Sequence, residues 1–142
     1  TEGWHTFNKW IDQHNPRMSY TVARNLFLAS QVSQSDLDAA QLVKQQAITR
    51  MKALLPHGTL LCLPTTPFCA PKVGLPVHPT DHLRTQISVL CCHGGLTGVP
   101  QISIPGGTVG EDHAPVGLSI VAGHNYDTDL LAVALALESK HV

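Results

Sequence analysis

Apolar residues in the first part of the chain recur at helical spacing. Trp4, Phe7 and Ile11 fall at i, i+3 and i+7, which places them on one side of a helix that must end before Pro16. Apolar residues at the same spacing predict a second helix over about 19–31. The chain therefore begins with helices.

A third apolar stripe predicts a long helix. Its apolar positions are 37, 40, 47, 51 and 54, and polar residues lie between them. Ser35 with Asp38 predicts a start similar to a capping box, with Asp where Glu or Gln is usual. Pro56 and Gly58 predict its end.

The pattern changes after residue 58. Residues 59–63 form a short apolar run between Gly58 and Pro64, which predicts a strand buried on both faces, followed by a proline-rich irregular loop. Helical spacing returns over 83–94. Residues 101–104 predict a second strand, the glycine-rich stretch 106–110 a hairpin-like loop, and residues 116–122 a third strand with small residues on one face.

The last predicted helix starts at Asp127 and is apolar nearly all round over 130–137. The order of elements predicts an α/β fold, a mixed sheet covered by helices. Three strands make a small sheet, and an all-apolar helix needs burial on more than one side. We therefore expect this chain to pack against more protein and, alone, to expose apolar surface along that helix and the sheet edge.

Composition changes this picture in two respects. The 142 residues include 9 Lys+Arg and 10 Asp+Glu, and charged residues make up 13%, about half of the ~25% usual in soluble domains. A net charge of −1 argues against nucleic acid or an anionic membrane surface as the main partner. The longest apolar run is too short to span a bilayer, and four cysteines weakly favour a reducing, cytoplasmic location.

The sequence offers few groups for metal or thiol chemistry. His78 and His82 lie four residues apart, but Pro79 disfavours a helix at His78, and no third ligand follows at a standard spacing. Cys92 and His93 are adjacent, which is a poor arrangement for a thiol and its base. A metal or thiol enzyme built on Cys91, Cys92 and His93 is a remote alternative.

Four segments, in order, carry a resemblance to a known family. They are LLCLPTTPFCAP at 60–71, LTGVPQISIPGG at 96–107, PVGLSIVAG at 115–123 and DTDLLAVALALE at 127–138. The first three resemble the L-x-x-P-T-x-P-x-x-A-P, L-T-G-x-P-x-x-S-x-P-x-G and P-V-G-L-Q-x-x-G segments of the amidase signature family, and the fourth its closing helix. The order of the segments makes the resemblance specific.

The resemblance implies a serine amidohydrolase that cleaves the C–N bond of a carboxamide through an acyl-enzyme, without a cofactor or metal. It implies that residues 1–142 are the C-terminal part of a single amidase domain, helical over 1–56 and a strand and helix core over 57–142. The family's Ser–Ser–Lys catalytic residues belong to its N-terminal half. None can be assigned in this chain, where Ser103 and Ser119 lie in predicted strands without a partner Lys.

The resemblance places four residues as candidate substrate contacts: Arg24, Thr66, Phe68 and His93. Its implied partners are a small amide substrate and the N-terminal remainder of the same protein, and a homo-oligomer is left open. Gly95, where the family commonly has Asn, leaves the substrate class undetermined. The alternative function is a catalytically inactive amidase fold that serves in binding or assembly.

Overall fold

The structure, a computed structural model, describes residues 2–74, 81–111 and 113–138. Within these ranges the chain forms six helices and three strands. In chain order they are α1 (Glu2–His14), α2 (Tyr20–Ser30), α3 (Gln34–Leu54), β1 (Leu60–Pro64), α4 (Asp81–Cys91), α5 (His93–Thr97), β2 (Gln101–Val109), β3 (Ala114–Ala122) and α6 (Asp127–Glu138). The α/β class and the order of elements are confirmed, except that the helix predicted over 83–94 is divided at Cys92.

The chain divides into two compact units, Thr1–Val43 and Lys44–Val142. The boundary falls within α3, because Met51 and Leu55 near the end of that helix are buried with the sheet. In the first unit α1 contacts α2. As predicted, α1 ends before Pro16: its last residue is His14, and the backbone N–H of the following Asn15 donates to the Ile11 carbonyl.

The start of α3 corrects the predicted cap. Ser33, rather than Ser35, accepts from the backbone N–H of Asp36 at 3.2 Å, and the Asp36 carboxylate accepts from the backbone N–H of Ser33 at 3.1 Å. These reciprocal bonds are a capping box in which the acid stands three residues after the serine. The predicted pair, Ser35 and Asp38, lies two residues later, inside the helix.

All three strands pair antiparallel, in the order β1-β3-β2. The central strand β3 aligns Ser119 with Leu63 on one side and with Ser103 on the other. Both outer strands contain a proline, Pro64 in β1 and Pro105 in β2. Because proline has no amide hydrogen, an outer strand is where a sheet tolerates it.

Strand β2 is longer than predicted. It continues from Ile104 to Val109, through glycines that we expected to form a loop. The register shifts between Pro105 and Gly107, so Gly106 is left without a paired residue. The prediction was wrong because proline and glycine interrupt a central strand, whereas an outer strand accommodates them through a bulge.

The two faces of the sheet bury different clusters. On one face Ile120 and Ala122 pack with Leu130 of α6. On the other, Val121 packs with Met51, Leu55 and Val99, and with the half-buried Leu61 and Leu63. The expectation that β1 is buried on both faces is wrong within this chain, because β1 is an outer strand whose alternate residues are exposed.

Gly123, the residue directly after β3, lies against Leu55, the residue directly after α3. A Cβ on Gly123 would lie 2.5 Å from the Leu55 carbonyl oxygen, so only glycine permits this approach. Gly123, the last of the small residues predicted on this side of the strand, thus lets the end of a helix approach the sheet.

Helix α6 covers the sheet with one side only. Leu130 is 3% exposed, whereas Leu131 is 54% and Leu135 66% exposed. The expected apolar surface along this helix is confirmed. None of the helices within the described ranges is long and apolar enough to cross a membrane.

Candidate functional site

A cavity of about 570 Å³ lies where β1 passes into the proline-rich loop. Its walls come from residues 62–64 and 66–69 on that side, and from 106, 109 and 116–118 of β2 and β3. We call it the PTTPF cavity, after residues 64–68. Among the described residues that line it, none carries a charge, and most are apolar. Such walls suit an uncharged, partly apolar ligand.

Thr66 and Phe68, two of the four predicted contacts, line this cavity together. The Thr66 hydroxyl donates to the Phe68 carbonyl at 2.8 Å, which closes a tight local turn. Both residues are half-buried. The turn therefore holds a hydroxyl-bearing and an aromatic side chain at the cavity wall.

Thr65 attaches this loop to the rest of the unit. Its backbone N–H donates to the Gly117 carbonyl at 2.9 Å, which extends the ladder one residue beyond β1. Its carbonyl accepts from the Cys91 thiol of α4 at 2.8 Å. Both backbone groups of Thr65 are thus satisfied, by two different elements.

The Thr65 side chain belongs to a cluster of hydroxyls across the sheet. Its Oγ1 lies 2.6 Å from Ser103 Oγ and 3.0 Å from Ser119 Oγ. Gln101 donates through Nε2 to Ser119 Oγ at 3.3 Å. None of these described hydrogen bonds involves a Lys or His, so nothing in the cluster could deprotonate a hydroxyl for attack. The cluster holds the loop and the strands together.

Gly117 makes room for the cluster. A Cβ there would lie 2.6 Å from Thr65 Oγ1 and 2.8 Å from Ser103 Oγ. Sequence reasoning chose Thr66 and overlooked Thr65 and Gly117. The family segments could have indicated both residues: the threonine of L-x-x-P-T-x-P corresponds to Thr65, and the glycine of P-V-G corresponds to Gly117.

The other two predicted contacts lie elsewhere. His93 is the first residue of α5 and is half-buried; its carbonyl accepts from the Thr97 hydroxyl at 2.7 Å. It does not line the PTTPF cavity. Arg24 is an exposed residue of α2 in the Thr1–Val43 unit. Of the four predicted contacts, Thr66 and Phe68 are the two that line the PTTPF cavity.

The cysteines next to His93 have different surroundings. Cys91 is half-buried and donates to Thr65, whereas Cys92 is exposed at the junction of α4 and α5. Within the described ranges, no group of three or more His, Cys, Asp or Glu side chains could hold a metal ion. His78 lies outside the described residues.

Comparison with known proteins identifies the family. The sequence matches the Amidase family over residues 4–131. Because this match covers most of the 142 residues, the chain belongs to the amidase family.

Similar proteins fall into groups with different names. Amidase 1 of Oryza sativa subsp. japonica is 31% identical over 127 residues, which are 88% of this chain and 28% of that protein. A glutamyl-tRNA(Gln) amidotransferase subunit from Thermus thermophilus is 36% identical over 99 residues, 70% of this chain and 20% of that protein. Translocon at the outer membrane of chloroplasts 64 of Pisum sativum is 24% identical over 127 residues, 89% of this chain and 21% of that protein. The chain thus spans less than a third of the length of these relatives.

A crystal structure of an amidase has the same fold. Its TM-score with this chain is 0.74 at 23% sequence identity, covering 96% of this chain and 32% of that one. At this level of identity the likeness shows the fold alone.

Proposed function

We propose that this chain is the C-terminal part of an amidase that hydrolyses a small carboxamide, and that the PTTPF cavity forms one wall of its substrate pocket. The observation that supports the proposal best is the uncharged cavity formed by the family-matching segments 60–71, 96–107 and 115–123. In α/β proteins, loops at strand ends are common sites of binding and catalysis.

The proposed reaction divides between two parts of the protein. A serine, activated by a second serine and a lysine from the N-terminal remainder, attacks the carboxamide carbon and forms an acyl-enzyme. The amine departs, and water then releases the acid. The present segment takes part by binding the group next to the scissile bond.

The wall residues have separable roles in this proposal. Phe68 supplies an aromatic surface for the apolar part of the substrate, and the Thr66 turn fixes its position. Arg24 and His93 stay predictions as further substrate contacts. The same holds for assembly with the N-terminal remainder, for a homo-oligomer and for a cytoplasmic location.

A kinetic test uses the complete protein and a panel of small aliphatic and aromatic amides. We expect turnover, and we expect Phe68→Ala to raise KM by about tenfold while kcat stays within about twofold, because the lost contact binds substrate and transition state alike. Phe27→Ala, which removes an exposed ring of α2, is the matched control. Normal kinetics in the Phe68 variant would exclude the cavity as a substrate wall.

A second candidate is a catalytically inactive amidase fold that acts in binding or assembly. The pea translocon protein favours it, since that protein is similar to 89% of this chain while its name denotes a translocon component. Both candidates retain the same core. The coding sequence upstream of residue 1 distinguishes them: a lysine and a glycine- and serine-rich loop with two serines favour the enzyme. Their absence, together with no turnover of any amide, favours the binding module.

A further inference from the structure

A second cavity, smaller and separate from the PTTPF cavity, lies in the Lys44–Val142 unit. Its volume is about 160 Å³, and none of its wall residues lines the first cavity. At about 30 Å³ per water molecule, it has room for roughly five. The ligand that fits is therefore a compact group of a few non-hydrogen atoms.

Two aromatic rings form part of its wall. The rings of His57 and Tyr126 lie 4.9 Å apart between centroids and are inclined by 52°. Tyr126 is held by the start of α6, where its carbonyl accepts from the Leu130 N–H at 3.0 Å. Its ring also packs closely on Gly123, where a Cβ would lie 3.1 Å from the ring. His57 lies in the turn after α3, which a bond from the Thr59 N–H to the Pro56 carbonyl closes.

The rest of the wall combines one carboxylate with an apolar surface. Asp129 stands three residues after Tyr126, a spacing that puts both on the same side of a helix start. Leu60, Ala122 and Val133 supply the apolar part. Among the described residues, the Asp129 carboxylate has no ion pair or hydrogen-bond partner, and no Lys or Arg lines the cavity.

We propose that this cavity, the His57–Tyr126 cavity, binds the alkylated ammonium group of a small molecule. A ring face attracts a cation through its quadrupole, and the apolar wall accommodates methyl groups that a hydrated metal ion does not have. The Asp129 carboxylate supplies a charge opposite to that of the ligand. The proposal concerns a site outside the PTTPF cavity and does not depend on amidase activity.

The test is an NMR titration of the isotope-labelled chain with tetramethylammonium chloride, compared with tert-butanol as a neutral molecule of similar shape. The solution is mildly alkaline, where imidazole side chains are generally uncharged. We expect saturable shifts of the amide signals of residues around the cavity, and binding of the cation at least about fivefold tighter than that of the alcohol. Sodium chloride at equal concentration corrects for ionic strength.

Variants assign the binding to named groups. We expect Asp129→Asn to weaken the binding of tetramethylammonium by about threefold or more, and Tyr126→Leu by about fivefold. Tyr126→Phe retains the ring and should retain the binding, which separates loss of the site from loss of the fold. Asp127→Asn, a charge change in the same helical turn outside the cavity, should alter it by less than about twofold.

Three outcomes would overturn the proposal. They are shifts that rise linearly without saturation, equal binding of tert-butanol, and equal weakening in the Asp127 and Asp129 variants. The last of these would show a general effect of net charge. None of them bears on whether the complete protein hydrolyses amides.

Discussion

The hydroxyl of Thr65 lies 2.6 Å from the hydroxyl of Ser103, although 38 residues separate them in the chain. Thr65 begins the proline-rich loop and Ser103 lies in β2, on the far side of the central strand. The contact passes over Gly117, where there is no side chain to block it. One hydroxyl pair therefore ties the wall of the PTTPF cavity to the sheet.

We expect Thr65→Val to lower the free energy of unfolding by about 1–2 kcal/mol, because it removes the hydroxyl that joins Ser103 and Ser119 while conserving shape. Urea denaturation measures the change. Thr49→Val, the same substitution on the exposed surface of α3, should change stability by less than about 0.5 kcal/mol. Equal effects of the two substitutions would mean that the cluster contributes nothing.

We expect Gly117→Ala to destabilise the chain by about 1–3 kcal/mol, since the added methyl would overlap the Thr65 and Ser103 hydroxyls. Gly95→Ala is the matched control, because a Cβ there meets nothing within 4 Å. It should be neutral or stabilising by up to about 1 kcal/mol. Thermal denaturation of both variants under the same conditions measures the two changes in stability. A Gly117→Ala variant as stable as the original chain would contradict the close contacts of Gly117 with Thr65 and Ser103.

The start of α3 should respond to pH through Asp36. Hydrogen bonds from the side chain and the backbone of Ser33 hold the pKa of the Asp36 carboxyl below its ordinary value of 3.8. Because folding lowers this pKa, the stabilisation is complete above the unfolded value and is lost as pH falls through the folded one. Carboxyl NMR signals and unfolding curves between about pH 5 and 2 follow this loss.

Variants of the cap identify the serine responsible. Ser33→Ala should raise the pKa of Asp36 and reduce helix stability by about 1 kcal/mol, as loss of an N-cap does. Ser35→Ala should leave the pKa of Asp36 low, because the bonds between Ser33 and Asp36 remain. If Ser35→Ala destabilised the helix and Ser33→Ala did not, the cap would instead be formed by Ser35 and Asp38, as the sequence predicted.

Substitutions of two neighbouring leucines of α6 should have very different effects on stability. Leu130→Ala removes a side chain that is 3% exposed and should reduce stability by about 2–5 kcal/mol. Leu131→Gln, at a position that is 54% exposed, should change stability by less than about 0.5 kcal/mol and lower the fluorescence of a dye that binds apolar surfaces. A chain that binds no such dye would contradict the exposed surface.

The four thiols should react at different rates with iodoacetamide. Cys62, Cys69 and Cys92 are exposed, whereas Cys91 is half-buried and donates to the Thr65 carbonyl. We therefore expect Cys91 to be alkylated last, which peptide mass spectrometry can follow. The control is the same alkylation in urea, where the unfolded chain should expose all four thiols and give them equal rates. Thr65→Pro does not serve as a control, because it also removes the N–H that donates to the Gly117 carbonyl.

The sequence predicted helices better than strand ends. Pro16 and Pro56 mark helix ends that the structure confirms, because a residue before proline is disfavoured in a helix. At Pro105 and Gly106 we expected the strand to end, but β2 continues through both residues as an outer strand with a bulge. Strand order depends on contacts between distant segments, and local patterns do not contain it.

Only the part of the candidate site that lies within one segment was predicted, because the rest depends on contacts between distant segments. Thr66 and Phe68 lie within one short segment, so a single local turn is enough to place both at the cavity. The Thr65 cluster joins residues 38 and 54 positions apart, and no spacing rule along one element could reveal it. The opposing wall, at 116–118, also required the register of β3.

The central position of β3 has a consequence for local opening. Residues 118–121 are paired on both sides, whereas 114–116 are paired only with β2. Each backbone N–H of β3 donates to one neighbouring strand and exchanges its hydrogen only when that bond opens. Where a strand lies on both sides, neither edge of β3 is free, so exchange should be slowest at Ser119–Val121. The end of the hairpin near residue 110 should open first, and the PTTPF cavity lies between this early-opening end and the slow-exchanging centre of the sheet.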